Sequence, residues 1–278
     1  MIKIDNVHFS YGRHKEALSG ISLELGTGHV HGILGCNGVG KSTLMKIMSG
    51  VLIPSKGSIT IGSDNPSRRL PSFFREIIMI PEEFDLPHLT FEDYVKYNVA
   101  FYPSFSAELL ETHTIELAVK REAYLDGISM GERKRAYIAF ALACQPRYLF
   151  MDEPTNGLDI PSKSVFKKLL ASFITPENTV VISTHQVVDM ENIVDSVVIM
   201  DESGILLNES IERIGQRLRF GIIHTDETPI WSQDSLLGKR GVIENRNEQD
   251  SIVDIEILFN AVLNNRERIM EIMEINNH

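Results

Sequence analysis

Cysteine and positive charge are both scarce in this sequence of 278 residues, and each scarcity excludes a class of protein. Cysteine occurs at Cys36 and Cys144 alone, too few for a disulfide framework or a zinc site built from cysteines. Lysine and arginine number 27 against 38 acidic residues, and the net charge of -11 disfavours broad electrostatic binding of nucleic acid. We therefore expect reduced thiols and no nucleic-acid partner.

Long hydrophobic runs are also missing. Apolar stretches such as residues 197–200 fall far short of the roughly 20 apolar residues that cross a bilayer as a helix. Residues 1–5 lack the basic and apolar pattern of a secretory signal. Hydrophobic residues nevertheless make up 43% of the chain, which is enough for a sizeable core. These observations predict a globular protein that stays in the cytosol.

Three short apolar runs alternate with helical patterns in the second half of the chain. The runs, at residues 148–151, 179–183 and 197–200, have the length and composition of buried strands. Buried strands separated by helices are typical of a parallel sheet in an α/β fold. At the start of the chain, alternating apolar residues such as Ile2 and Ile4 predict an antiparallel β subdomain. Residues 87–143 are mainly helical in pattern and are expected to form a helical insertion.

The pattern changes again beyond residue 217. Short strands are predicted at residues 220–223, 241–244 and 252–254, followed by an amphipathic helix at residues 255–275. We therefore expect an α/β domain over residues 1–217 and a small α+β extension over residues 218–278.

A glycine-rich motif follows one predicted strand and precedes a predicted helix. Glycines in such a turn let backbone N–H groups point at phosphate oxygens, and the positive end of the helix dipole adds to the attraction. The lysine of the motif reaches the β- and γ-phosphates, and the serine after it can hold Mg²⁺. The pattern G-x-x-x-x-G-K-[ST] predicts a phosphate site made by Gly35, Cys36, Asn37, Gly38, Val39, Gly40, Lys41, Ser42 and Thr43.

Two carboxylates follow the predicted strand at residues 148–151. Open α/β sheets bind ligands at the carboxyl ends of their strands, so Asp152 and Glu153 are expected to reach a nucleotide. Asp152 can hold Mg²⁺ directly or through water. Glu153 is suited to act as a general base on a water molecule in line with the γ-phosphate. Together with the phosphate motif, these residues predict Mg²⁺-assisted hydrolysis of a nucleotide phosphoanhydride.

Three further motifs occur in an order that is typical of one family. Residues 128–132 (Ile-Ser-Met-Gly-Glu) open a helix, residues 152–159 (Asp-Glu-Pro-Thr-Asn-Gly-Leu-Asp) follow a strand, and Ser-Thr-His ends another strand at His185. Over residues 1–217 the chain resembles the nucleotide-binding subunit of an ABC transporter. The three motifs are similar to its signature loop, its extended Walker B motif with the D-loop, and its switch histidine. The resemblance implies a P-loop NTPase core.

The resemblance also implies a role for each matching residue. Tyr11 would stack on adenine, and His185 would contact the γ-phosphate and hold the attacking water. Ser129 and Gly131 would reach the ATP held by the opposite subunit of a dimer, and Asp159 would communicate across that dimer. ATP and Mg²⁺ are the implied cofactors. The implied catalytic residues are Glu153, His185 and Lys41, and the implied metal ligands are Ser42, Glu82 and Asp152.

Two residues depart from the family pattern. Met130 stands where the signature loop usually has its first glycine, which adds a β-carbon close to the phosphate-binding backbone. Glu82 stands at the Q-loop position, where the family usually has glutamine, so a charged side chain replaces a neutral amide at a metal-sensing position. We therefore expect Glu82 to contribute an additional negative charge to the metal site.

The implied function is transport. We expect a head-to-tail dimer, of identical or paired cassettes, that hydrolyses ATP to drive a separately encoded membrane permease from the inner face of the cell membrane. The Ser-x-Gly signature, the compact helical insertion and the C-terminal extension are most similar to cassettes of bacterial type-2 exporters, so the expected direction is outward. The alternatives are a soluble ABC ATPase of nucleic-acid repair or translation, and a non-hydrolysing ATP-binding regulator.

Overall fold

The computed structural model describes residues 1–12, 15–83, 87–236, 238–246 and 251–274. Within them the strands are β1 (Ile2–Tyr11), β2 (Lys15–Leu25), β3 (Val30–Leu34), β4 (Lys56–Ile61), β5 (Ile77–Ile80), β6 (Tyr148–Asp152), β7 (Thr179–Thr184), β8 (Ser196–Asp201), β9 (Gly204–Ser210), β10 (Leu218–Ile222), β11 (Trp231–Ser235) and β12 (Gly238–Glu244). The helices are α1 (Lys41–Met48), α2 (Pro71–Phe74), α3 (Phe91–Asn98), α4 (Ala107–Glu116), α5 (Met130–Ala143), α6 (Ile160–Phe173), α7 (Ile211–Arg217), α8 (Ile255–Asn264) and α9 (Arg266–Glu274).

The chain divides into two compact units. The first unit contains Met1–Val30 and Ser42–Ser183, and the second contains His31–Lys41 and Thr184–His278. Among the described residues, every helix is too short or too polar to span a lipid bilayer.

Two groups of strands form the framework of the first unit. Strand β1 pairs antiparallel with both β2 and β4, and its alternating residues Ile2 and Ile4 are buried. Strands β5, β6 and β7 pair in parallel in that order. All five residues of β6 are buried, as expected for a parallel strand covered on both faces. The predicted antiparallel subdomain and parallel strands are therefore both present.

Aromatic packing holds the helical region of the first unit together. The ring of Phe140, on α5, lies 5.4 Å from that of Tyr94 on α3, 5.8 Å from that of Tyr102 and 6.4 Å from that of Phe105, measured between centroids. Helix α4 also packs along α5. Because α5 continues directly toward β6, this packing fixes the segment that leads to the carboxylates at the end of β6.

The second unit contains the remaining strands. Strand β8 pairs in parallel with β3 and antiparallel with β9, while β12 pairs antiparallel with both β10 and β11. Helix α8 buries Ile257, Leu258 and Ala261. The guanidinium of Arg213, on α7, donates a hydrogen bond to the carbonyl of Met273 on α9 at 2.8 Å. Helices α8 and α9 are therefore packed within this unit.

The α/β fold class predicted from the sequence is confirmed, with corrections in the C-terminal segment. The predicted strand at residues 252–254 is wrong, because Asp254 instead caps α8 by accepting a hydrogen bond from the N–H of Ile257 at 3.0 Å. The predicted helix at residues 255–275 is divided at Asn265 into α8 and α9, and Ile275 lies outside the described residues. Strands β9 and β11 were not predicted.

Candidate active site

The glycine-rich phosphate loop begins directly after β3 in the second unit. Gly38 has a φ of +87°, in the left-handed region that favours glycine. Lys41 is only 6% exposed, and its Nζ donates hydrogen bonds to the carbonyl oxygens of Gly35 at 2.7 Å and Cys36 at 3.1 Å. The loop therefore curls around the lysine ammonium at the start of α1, where the positive end of the helix dipole lies.

The last two residues of the motif, Ser42 and Thr43, belong to the first unit. Thr43 Oγ1 donates a hydrogen bond to the phenol oxygen of Tyr11 at 3.3 Å. The Tyr11 ring packs edge-on against Phe9, with centroids 4.9 Å apart, and remains 50% exposed. The structure thus brings Tyr11 to the end of the phosphate motif with ring surface available for stacking. Stacking on adenine stays a prediction.

The buried carboxylate of Asp152 ends β6. Asp152 is 2% exposed, and its Oδ1 accepts a hydrogen bond from Ser183 Oγ, the residue opposite it in the β6–β7 register. This hydrogen bond fixes the orientation of the carboxylate. Carboxylate oxygens are the ligands that Mg²⁺ prefers in proteins, so Asp152 has the right chemistry for the predicted metal role.

The backbone of Glu153 has a conformation that is unusual for glutamate. Its φ is +46°, in the left-handed region, which costs a non-glycine residue on the order of 1 kcal/mol. Its N–H donates to the carbonyl of Ser183 at 2.9 Å, and its carbonyl accepts from the N–H of Asn156 at 3.2 Å and from Lys134 Nζ at 2.8 Å. The residue is 3% exposed. These three hydrogen bonds hold the strained peptide in place.

Glu82 is linked to the same loop. Its Oε1 accepts a hydrogen bond from Asn156 Nδ2 at 3.1 Å, so the Q-loop position and the segment after β6 are joined by one side chain. Burial lowers the pKa of Lys134, and the negative charges of Glu82, Glu153 and Asp152 oppose that shift. The carboxylates and the buried ammonium therefore form one local charge cluster.

Ser129 caps the signature helix α5 and is itself exposed. Its Oγ accepts from the N–H of Glu132 at 3.3 Å, while Glu132 Oε2 accepts from the N–H of Ser129 at 3.0 Å. This reciprocal pair is a capping box, which stabilises the first turn of a helix. The hydrogen bonds from Ser129 hold the pKa of Glu132 below its usual range. The predicted helix start is therefore confirmed at Ser129.

Gly131 lies against the backbone of the D-loop. A β-carbon at this position would lie 2.5 Å from the carbonyl oxygen of Gly157, which is closer than real contacts allow. Met130, the departure from the family pattern, is instead 44% exposed. Close backbone approach therefore requires glycine at position 131, whereas the neighbouring position has room for a side chain.

Asp159 and His185, the remaining predicted site residues, belong to different units. Asp159 caps α6, and its Oδ1 accepts from the N–H of Ser162 at 2.9 Å. The hydrogen bonds with Ser162 lower the pKa of Asp159. His185 directly follows β7, belongs to the second unit and is exposed. Their predicted roles, across a dimer and at the γ-phosphate, stay predictions.

Comparison with known proteins identifies the family. The model of the ABC transporter family matches residues 18–156, half of the chain. This chain belongs to the ABC transporter family. It is an ATP-binding subunit of that family and an ATPase. Its sequence is 30% identical over 214 residues to the lantibiotic transport ATP-binding protein SrtF of Streptococcus pyogenes, and the match covers 76% of this chain and 92% of that protein.

Two further comparisons agree with this family. The chain is 30% identical over 233 residues to the methionine import ATP-binding protein MetN of Streptococcus mutans serotype c, covering 76% of this chain and 65% of MetN. A solved ATP-binding subunit of an ABC transporter has the same fold, with a TM-score of 0.69 at 22% identity over 77% of this chain and 91% of that one. The predicted P-loop NTPase core is confirmed.

Three residues near the carboxylates of this ABC ATPase were missed by sequence reasoning. They are Lys134, Asn156 and Ser183, each of which hydrogen-bonds to Asp152, Glu153 or Glu82. Lys134 stands two residues before an apolar run on α5 that begins at Ala136, but nothing in that pattern distinguishes it from a solvated lysine. Asn156 and Ser183 lie inside motifs already assigned to other roles, so nothing in their local pattern distinguishes them.

Proposed function

We propose that this ATPase works as one half of a head-to-tail dimer of cassettes and drives export through a separately encoded membrane permease. The observation that carries the proposal is the N-terminus of α5, where Ser129 and Met130 are exposed while residues 138–143 of the same helix are buried. A helix N-terminus presents unpaired N–H groups and the positive end of its dipole, which suit phosphate. This signature loop is available to an ATP molecule held by a second cassette.

Exposed apolar side chains beside the same loop support the dimer. Ile160, next to the D-loop residue Asp159, is 82% exposed, and Met130 is 44% exposed. Large apolar side chains grouped beside polar loops mark interaction surfaces. A second cassette, identical or paired, covers this surface when two ATP molecules are bound.

Hydrolysis uses one general base. Glu153 takes a proton from the attacking water. The water oxygen forms a bond to the γ-phosphorus while the bond from that phosphorus to the bridging oxygen breaks, which releases ADP and inorganic phosphate. Lys41 balances charge on the β- and γ-phosphates, and His185 holds the attacking water. Tyr11 stacks on the adenine ring.

The predicted metal ligands fit Mg²⁺ in their chemistry. Ser42 supplies a hydroxyl, while Asp152 and Glu82 supply carboxylates, all of them hard oxygen donors. Both carboxylates are already oriented by protein donors, Asp152 by Ser183 and Glu82 by Asn156. Bound Mg²⁺ would offset the negative charge of the ATP phosphates.

The permease is expected to dock on the helical subdomain at residues 87–143, on the cytoplasmic side of the membrane. Two of its aromatic rings, Tyr97 at 60% and Phe101 at 61%, are well exposed. Export is supported by the Ser-x-Gly signature and by the extension at residues 218–278, which we treat as an accessory unit beside the cassette at residues 1–217. Since SrtF is named for lantibiotic transport and MetN for methionine import, the direction of transport must be measured.

Reconstitution tests this proposal. The chain is combined with a candidate permease in proteoliposomes whose cassettes face outward, and ATPase activity and substrate movement are measured. Export predicts stimulated ATPase and ATP-dependent accumulation of substrate in the lumen. Release of preloaded substrate would instead indicate import. Stimulation by nucleic acid without any permease would favour a soluble ATPase of nucleic-acid metabolism, and bound ATP without turnover would favour a regulator.

A further inference from the structure

A fully buried lysine lies beside the general base. Lys134 is 0% exposed although it lies only one turn from the exposed start of α5. Its Nζ donates a hydrogen bond to the carbonyl oxygen of Glu153 at 2.8 Å. Removing an ammonium from water is energetically costly unless the charge is compensated. The position of this lysine therefore needs an explanation beyond packing.

The hydrogen bond acts on a strained peptide. Glu153 has a φ of +46°, which glutamate adopts only when its surroundings hold it there. Lys134 Nζ and the N–H of Asn156 both donate to the Glu153 carbonyl, while the Glu153 N–H donates to Ser183. Because the direction of the Cα–Cβ bond depends on this backbone conformation, the donors that fix the peptide also aim the carboxylate.

The negative charge of Glu82 also acts on Lys134. Asn156 joins Glu82 to the loop, since its side chain donates to Glu82 Oε1 and its N–H donates to the Glu153 carbonyl. Glu82 is a carboxylate where the family has a neutral glutamine, so this chain carries one additional negative charge beside Asp152 and Glu153. The buried ammonium of Lys134, which reaches the same loop from α5, offsets that charge.

We propose that Lys134 is a positioning residue for ATP hydrolysis: its ammonium holds the Glu153 peptide so that the carboxylate points at the attacking water, and its charge balances Glu82. The inference rests on the proposed role of Glu153 as the general base. It assigns a function to a residue outside the phosphate, metal and signature motifs.

Two substitutions in the full chain separate the hydrogen bond from packing. Lys134→Met keeps most of the side-chain volume and removes the donor, whereas Lys134→Gln keeps a neutral donor. The Met variant should lose roughly 10- to 100-fold in kcat, as expected for a misplaced catalytic group. Its KM for ATP, and its affinity for a fluorescent ATP analogue, should stay within about two-fold of wild type. The Gln variant should retain more of kcat than the Met variant.

Lys168→Met is the matched control, because Lys168 is an exposed lysine that forms an ion pair with Glu116 at 2.9 Å. It should leave kcat and KM unchanged. The charge balance is tested with the double variant Glu82→Gln, Lys134→Gln, whose kcat should exceed that of Lys134→Gln alone. Additive losses in this cycle would overturn the charge balance.

Other outcomes decide the rest of the inference. Values of kcat near wild type in both Lys134 variants would overturn the positioning role. Loss of the folded state in both variants would also overturn it, because Lys134 would then serve only to stabilise the core. The Glu153→Gln variant keeps this result separate from the proposed function. Slow turnover of Glu153→Gln with normal Lys134 variants rejects only the positioning role, whereas normal turnover of Glu153→Gln rejects the general base itself.

Discussion

The phosphate loop and the signature loop both end at a helix N-terminus, yet they differ in how their polar groups are satisfied. In the phosphate loop, Lys41 is almost fully buried and its ammonium is bound by the loop's own carbonyls. In the signature loop, Ser129 and Met130 are exposed, and the helix start is capped by the reciprocal hydrogen bonds between Ser129 and Glu132. One loop encloses an ammonium of its own chain, whereas the other is open at the surface, as the proposed dimer requires.

The strongest test removes the chemistry while leaving both loops unchanged. Glu153→Gln should bind ATP but lose about 10²- to 10⁴-fold in turnover, because the general base is gone. In the proposed dimer, uncleaved ATP holds the phosphate loop of one cassette against the signature loop of the other. ATP should therefore convert this variant from monomer to dimer, as measured by light scattering. Glu177→Gln, an exposed glutamate on a loop, serves as the control. Turnover close to wild type would rule out the assignment.

The second test asks whether the two loops act in different copies of the chain. Ser129→Arg should leave ATP binding to the monomer intact but block closure, because a bulky cation then occupies the exposed helix start. Lys41→Ala should weaken binding itself. Each variant should be inactive alone, and a mixture should regain ATPase in the dimers that combine both lesions in one site and leave the other intact.

Ser172→Arg, on the exposed face of α6, is the control for the arginine. A mixture with no recovered activity would contradict pairing of the two loops across a dimer of independent sites.

Glycine substitutions compare how tightly the backbone is packed in the signature loop and in the phosphate loop. Gly131→Ala forces a β-carbon to 2.5 Å from the Gly157 carbonyl and should cost about 1–3 kcal/mol. Gly38→Ala has no neighbour within 4 Å, so it should cost only about 1 kcal/mol from its left-handed backbone. Thermal unfolding should show the larger decrease in Tm for Gly131→Ala, and the reverse order would show that the signature loop yields easily.

The smallest expected effect is at Glu82. A carboxylate attracts Mg²⁺ more strongly than an amide but repels the γ-phosphate when metal is absent, so Glu82 should make closure more dependent on metal. Glu82→Gln should remain active but reach half-maximal ATPase at a different concentration of free Mg²⁺, measured at saturating ATP. Superimposable titration curves would exclude a metal-sensing role.

The sequence predicted those parts of the protein whose structure is determined by residues that are neighbours along the chain. The strand, glycine loop and helix around Lys41 follow from local chemistry, as does the helix start at Ser129 with Glu132 three residues later. Lys134 could not be assigned in this way, because its partner Glu153 is 19 residues away along the chain. A lysine on a helix is ordinarily solvated, and only tertiary packing makes this one internal.

In the C-terminal segment, too, the local sequence pattern did not predict the observed structure. Residues 252–254 have strand-like composition, yet Asp254 is next to an apolar run and its carboxylate accepts a hydrogen bond from the N–H of Ile257 in the first turn of α8. Asn265 interrupts the amphipathic pattern only weakly, but the helix ends there and α9 begins. Capping by Asp254 therefore determined where α8 begins, against the preference of residues 252–254 for extended structure.

The contact between Gly131 and Gly157 has a consequence for how this ATPase can change over generations. Two backbones meet there without an intervening side chain, so no mutation can adjust the contact gradually by altering the size or polarity of a group. Variation must instead accumulate beside it, at positions such as Met130. Divergence among descendants of this chain is therefore expected to alter the rim of the signature loop while the separation of the two loops is inherited unchanged.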